Sequence, residues 1–105
     1  MLIPQEEFQE YFNIQETTVP PEDYERASAI AEQRLVDILR IRNPDYQLPE
    51  NKEELTAVQH ELLLHLILIE LLKSFNYIYE ENKGRASLKL ITSQADRLAR
   101  MAQQE

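Results

Sequence analysis

His60 and His65 are the side chains whose type and setting most readily suggest chemistry. They bracket the segment His60-Glu61-Leu62-Leu63-Leu64-His65, which holds the ingredients of a zinc-protease helix. That chemistry needs two histidines four residues apart, so that both imidazoles leave one helix face beside a glutamate acting as general base. Here the spacing is five, which on a regular helix turns the second imidazole about 140° away from the first. The pair cannot converge on one ion. The sequence instead predicts a polar His60 at a helix edge and a hydrogen-bonded His65 in or near the core. Glu61 and His65 can pair across one turn, a contact that stabilises a helix by about 0.2–0.5 kcal/mol without forming an acid–base dyad.

Glu70 interrupts the apolar run from Leu62 to Leu72. It marks the solvent edge of that helix, or else it is a buried carboxylate that needs a partner. The candidate partners are an arginine on the preceding helix or one on a neighbouring subunit. Serines, threonines and aspartates are scattered without nucleophile–base spacing, and no glycine-rich phosphate loop or calcium loop is present. The absence of cysteine excludes disulfides, thiolate metal sites and cysteine nucleophiles. The residues thus predict no enzyme, no cofactor and no metal, but a protein that binds other chains.

The elements that carry these residues read as helices. With one Gly and five Pro in 105 residues, the chain is too poor in turn residues for many hairpins. Residues 4–13 predict a short first helix with acids in its first turn and an aromatic face of Phe8, Tyr11 and Phe12. Pro21 opens a second helix, in which Tyr24, Ala27, Ala31, Leu35 and Ile38 repeat at helical spacing, and Asn43-Pro44 stops it. Asn51 with Glu54 resembles a capping box, and no breaker follows until Asn82-Lys83-Gly84. A third helix over about 52–81 would be about 45 Å long, longer than a compact domain of this size is wide, about 33 Å. Because its leucines point all round the axis, it must be buried, and its ends would call for neighbouring chains. Phe75, Tyr77 and Tyr79 at its close, with Glu70, are candidate subunit-interface residues; the other reading is a ring covering the connection to the next helix. A fourth helix over about 87–104 carries Leu88, Ile91, Ala95, Leu98 and Ala102 at three–four spacing, a coiled-coil-like seam.

The predicted fold class is therefore all-α, a single domain over residues 1–105 forming a small bundle of about four helices. Residues 83–105 could protrude as a C-terminal docking element. Hydrophobic residues at 43% and charged residues at 29% are a globular composition. The start of the chain lacks a signal-peptide pattern, and the apolar run of helix three, about 17 Å long, is too short for a bilayer; the chain reads as soluble. The net charge of −8 is uneven: residues 1–33 carry −7, residues 34–82 carry −4 and residues 83–105 carry +3. Net acidity argues against nucleic acid as a specific partner, while the asymmetry suits head-to-tail attraction between copies.

The order of elements is a short helix ending in Tyr11-Phe12-Asn13-Ile14, an acidic helix and a Pro-bearing loop. A Leu-rich helix closed by aromatics and Asn82 follows, then a small C-terminal helix. Together with the local segments Glu6 to Ile14 and Glu61 to Asn82, this resembles the small head–tail connector (head-completion adaptor) proteins of tailed bacteriophages. The resemblance implies a homo-oligomeric ring, commonly of about twelve copies, at the head–tail junction of the virion, assembled in the host cytoplasm. The ring would sit on the portal protein, extend the DNA channel and receive the next tail or stopper protein, with DNA only as passing cargo and no membrane involved. It further implies that the C-terminal helix docks on the portal through Leu88, Ile91 and Leu98, with Arg97 and Arg100 at the rim. On that reading, deleting residues 87–105 leaves the fold intact and abolishes portal binding. The alternatives are a dimeric helical scaffold or assembly chaperone, associating through helix three, and a small antitoxin-like or regulatory binding module.

Overall fold

The computed structural model describes residues 1–14, 19–75 and 88–105, and the backbone of 80–81 and 84–85. Helix α1 spans Gln5–Phe12, α2 Pro21–Arg40, α3 Ala57–Ser74 and α4 Leu88–Gln103. A 3-10 turn at Lys52–Glu54 precedes α3, and two two-residue strands, β1 (Glu80–Glu81) and β2 (Gly84–Arg85), pair antiparallel between α3 and α4. The chain is a small all-α bundle, as its patterning predicts.

The helix starts and stops follow local chemistry. Pro4 caps α1 without a side-chain bond, and Asn13 ends it in the left-handed conformation at φ 55°, where asparagine is among the few tolerated residues. The backbone N–H of Ile14 then donates to Gln9 O at 2.8 Å, satisfying one of the last carbonyls. Pro21 occupies the first turn of α2, with Glu22 and Asp23 beside it at the positive end of the helix dipole.

Helix α3 differs from expectation in length, and the difference matters. Asn51 makes no side-chain cap; its segment forms only the 3-10 turn. The working N-terminal signal lies five residues on, where Thr56 Oγ1 accepts from the Gln59 N–H at 3.1 Å and Gln59 Oε1 accepts from the Thr56 N–H at 3.1 Å. Between the two signals Leu55 is extended and buried, so the chain turns there to bring that side chain into the core. At the other end α3 stops at Ser74, and the end predicted for it, through Glu81, falls partly in the ribbon with Gly84. At 18 residues α3 is about 27 Å long, and it fits inside a molecule of 38 × 25 × 22 Å.

Every residue of α3 from Leu62 to Leu71 is buried within the single chain. Helix α2 lays Tyr24, Ala27, Ala31, Leu35 and Leu39 against it, and α4 covers it with Ile91, Ala95, Leu98 and Ala102. Phe8 from α1 joins the same core. The small residues Ala27, Ser28 and Ala31 let α2 approach closely. Ser28 Oγ is buried without a hydrogen-bond partner, so its position uses the small volume and not the hydroxyl. The inference of neighbouring chains from an overlong third helix is thereby corrected: one subunit covers its own apolar helix. No helix among the described residues is long and apolar enough to cross a membrane.

Candidate functional site

The polar side chains of the apolar helix resolve into two separate clusters. Glu70 is 5% exposed. It accepts from Arg34 Nη1 of α2 at 2.8 Å and from Ser74 Oγ at 3.0 Å. Of the alternatives open in the sequence, the buried carboxylate with an arginine on helix two is the one observed, and Glu70's charge is answered inside the subunit.

The second cluster joins α1 to the start of α3. One carboxylate oxygen of Glu7 accepts from Lys52 Nζ, and the other is 2.6 Å from His60 Nε2. The Lys52 ammonium holds the Glu7 carboxyl below the ordinary glutamate range, with His60 adding to the effect against the opposing influence of burial. Glu7 in turn holds Lys52 above the usual lysine value. His65 lies elsewhere. Its Nδ1 donates to the Glu61 carbonyl at 2.8 Å, which fixes the proton on that nitrogen because a carbonyl only accepts. The ring packs edge-on against Phe12 at 5.4 Å and Tyr11 at 6.1 Å. The two histidines thus hold different partners, one at a helix edge and one in the core. The partner of His65 is the Glu61 backbone, while the Glu61 carboxylate accepts from Tyr11 Oη at 3.5 Å. Among the described residues no group of three or more His, Cys, Asp or Glu side chains is placed to hold a metal.

A consequence of the Glu7 cluster is measurable. A carboxyl whose folded-state pKa is depressed contributes stability that is fully present above its unfolded value and is lost as pH falls through the folded one. Glu7→Gln is therefore expected to lower the melting temperature at neutral pH by about 3–6 °C, the effect of somewhat under 1 kcal/mol in a domain of this size. The gap between variant and parent closes as pH drops below the ordinary value of 4.5. Calorimetric melts across pH 2.5–7, roughly the range of carboxyl titration, check this; a gap that stays constant throughout would show that the ion pair is not its source.

Among the described residues the surface has two depressions beside the bundle. One of about 310 Å³ lies between α2 and the loop after it, lined by Glu32, Val36, Arg40 and Leu48 among others. The other, about 190 Å³, gathers Leu39, Arg42 and Tyr46 with Gln59 and the end of α4. The Tyr46 hydroxyl is buried without a partner, and burial pushes its pKa up. Neither depression contains a nucleophile next to a base.

The residues expected to dock on a partner divide. Ile91 and Leu98 are 4% and 5% exposed and belong to the core, because the seam of α4 is closed on α3. This corrects the picture of α4 as a protruding element anchored elsewhere by that seam. Leu88 is 40% exposed, and Arg97 and Arg100 are exposed on the outer side of α4. Phe75 is half-buried against the core. Tyr77 and Tyr79 lie outside the described residues. Two further apolar side chains on α4, Leu90 at 51% and Met101 at 45% exposure, were not among the expected contacts. Their separation of eleven residues, three helical turns, was the available signal. Comparison with protein-family models, with curated proteins and with solved structures finds no match.

Proposed function

We propose that this chain is a non-catalytic assembly subunit, the head–tail connector adaptor of a tailed phage. It forms a ring on the portal protein, extends the DNA channel and receives the next tail component. The observation that carries this reading is an uneven charge along a chain with a self-contained core. Acids crowd the N-terminal third, where residues 1–33 sum to −7, and cations gather in residues 83–105, which sum to +3. A chain whose first and last segments carry opposite charge favours heterologous contacts, the kind that close rings. An acidic channel wall repels DNA and lets it slide. The order of helices supports the reading too, with the aromatic α1 laid across the histidine side of α3. With Ile91 and Leu98 enclosed, portal contact falls to the exposed Leu88, Arg97 and Arg100 of α4. The dimeric scaffold reading needs α3 as its interface, and α3 is buried from Leu62 to Leu71.

The test is reconstitution of the purified chain with portal rings, read by native mass and electron microscopy. A ring of copies seated on the portal is the expected result. A stable dimer in every condition, with no portal binding, overturns the assignment and favours the scaffold.

A further inference from the structure

Helices α2 and α4 carry matching stripes on their outer sides. On α2 and its C-cap, Ile30, Arg34, Asp37 and Ile41 follow one another at spacings of four, three and four. Ile30 is 42% exposed, Ile41 71%, the Arg34 side chain 43%, and Asp37 is exposed. On α4, Leu90, Gln94, Arg97 and Met101 repeat the same spacing. Leu90 and Met101 are half exposed, Arg97 is exposed and Gln94 is partly so. In both stripes an apolar residue stands at each end, eleven positions apart or about 16 Å along the axis. The third position is acidic in one and basic in the other.

The fold sets the two stripes on neighbouring, parallel helices. Helices α2 and α4 both run antiparallel to α3: Arg34 meets Glu70 while Leu39 lies near Gln59, and the end of α4 reaches the start of α3 where Glu105 Oε2 accepts from Thr56 Oγ1 at 2.7 Å. Gln103 Nε2 donates to Ile38 O at 3.0 Å, so α2 and α4 finish together. Viewed down the axis, the outer stripe sits about 130° from the middle of the buried face on α2 and about 100° on α4, in the same rotational sense. Two parallel helices packed side by side on α3, each with its stripe turned away from the core in one rotational sense, present the stripes as two separate surfaces.

We infer that these stripes are the two halves of a head-to-tail contact between copies of this chain, α2 of one copy lying parallel to α4 of the next. In that register Ile30 meets Leu90, Arg34 meets Gln94, Asp37 meets Arg97 and Ile41 meets Met101. An antiparallel register would oppose Arg34 to Arg97. The occupant is a second copy because spacing and charge match within one sequence. Because the two stripes are different surfaces of one chain, the contact is heterologous and repeats without using up either stripe. Asp37 accepts a bond from Gln33 Nε2 at 3.0 Å within its own helix, which leaves its second oxygen for an arginine. The contact deepens the assembly reading and rests on it in taking the working chain to be an oligomer.

The experiment is sedimentation velocity of the full chain over a concentration series, with Asp37→Arg, with Arg97→Asp, with an equimolar mixture of the two, and with the double variant. Each single reversal opposes like charges and is expected to weaken association about tenfold, or about 1.4 kcal/mol per contact. The mixture and the double variant restore it, because Arg at 37 then meets Asp at 97. Met101→Ser should weaken association without rescue by either reversal. All positions are exposed, so unchanged melting curves verify the fold. Equal association of all samples, or a mixture no better than the singles, overturns the contact while leaving portal binding, and hence the assembly reading, standing. A parent chain that stays monomeric at every concentration also overturns the contact; reconstitution with portal rings then decides the assembly reading separately.

Discussion

A chain lacking residues 87–105 is expected to lose its fold, and with it the cooperative melting transition of the full protein. Helix α4 encloses Ile91, Ala95, Leu98 and Ala102 against α3. Burying a side chain such as Ile or Leu is worth about 1.5–3 kcal/mol. The α3 leucines under the same helix lose comparable burial when it is removed. Together that is on the order of 8 kcal/mol, against a total stability of about 5–15 kcal/mol for a domain of this kind. A helix apolar on all sides would then face water along one whole flank, and aggregation is the expected fate. Circular dichroism and sedimentation of the truncated chain check this. Full helicity with a sharp melt would mean that α1, α2 and α3 are stable alone and that α4 is free to dock in trans. Leu98→Ala provides a graded version, expected to cost about 2–5 kcal/mol through the cavity it leaves.

The second large effect concerns Arg34. Arg34→Met removes the one cation that, among the described residues, is bonded to Glu70, whose side chain is 7% exposed, and leaves Ser74 as its described partner. Stranding a buried charge costs about 3–5 kcal/mol when both partners are enclosed. Arg34 is 43% exposed, so water already reaches this pair and a smaller cost, about 2–3 kcal/mol, is expected. That corresponds to a fall in melting temperature of roughly 10–20 °C for a domain of this size. Replacing both partners, Arg34→Met with Glu70→Leu, should recover most of the loss, since an apolar pair removes the desolvation cost along with the attraction. A double-mutant cycle by thermal melts measures the coupling; additive losses would show that the ion pair is not what holds α2 to α3 here. The register of the two helices gives the pair a second role, because only one alignment brings Arg34 opposite Glu70.

Much of this arrangement is legible in the residues. Period and composition specify the all-α class, because apolar side chains repeating every three or four positions and a near absence of glycine leave helices as the economical way to bury them. The failure of His60 and His65 to share a face follows from their spacing alone, as does the narrow seam of α4. Glu70's need for a cation could be stated from the sequence, since a carboxylate amid leucines is costly in any fold.

Tertiary structure decided what local signals leave degenerate. Two capping patterns, Asn51 with Glu54 and Thr56 with Gln59, compete for the start of α3; the second wins because Leu55 must turn into the core. That choice, with the stop at Ser74, shortens the helix until one subunit can cover it. Which of several arginines answers Glu70, and that Glu7 reaches across to Lys52 and His60, are long-range facts that no periodicity encodes. The same holds for α4. Its seam states that the helix packs on something, and only the closed bundle shows that the something is α3 of the same chain, because a pattern names a face but not the surface that meets it.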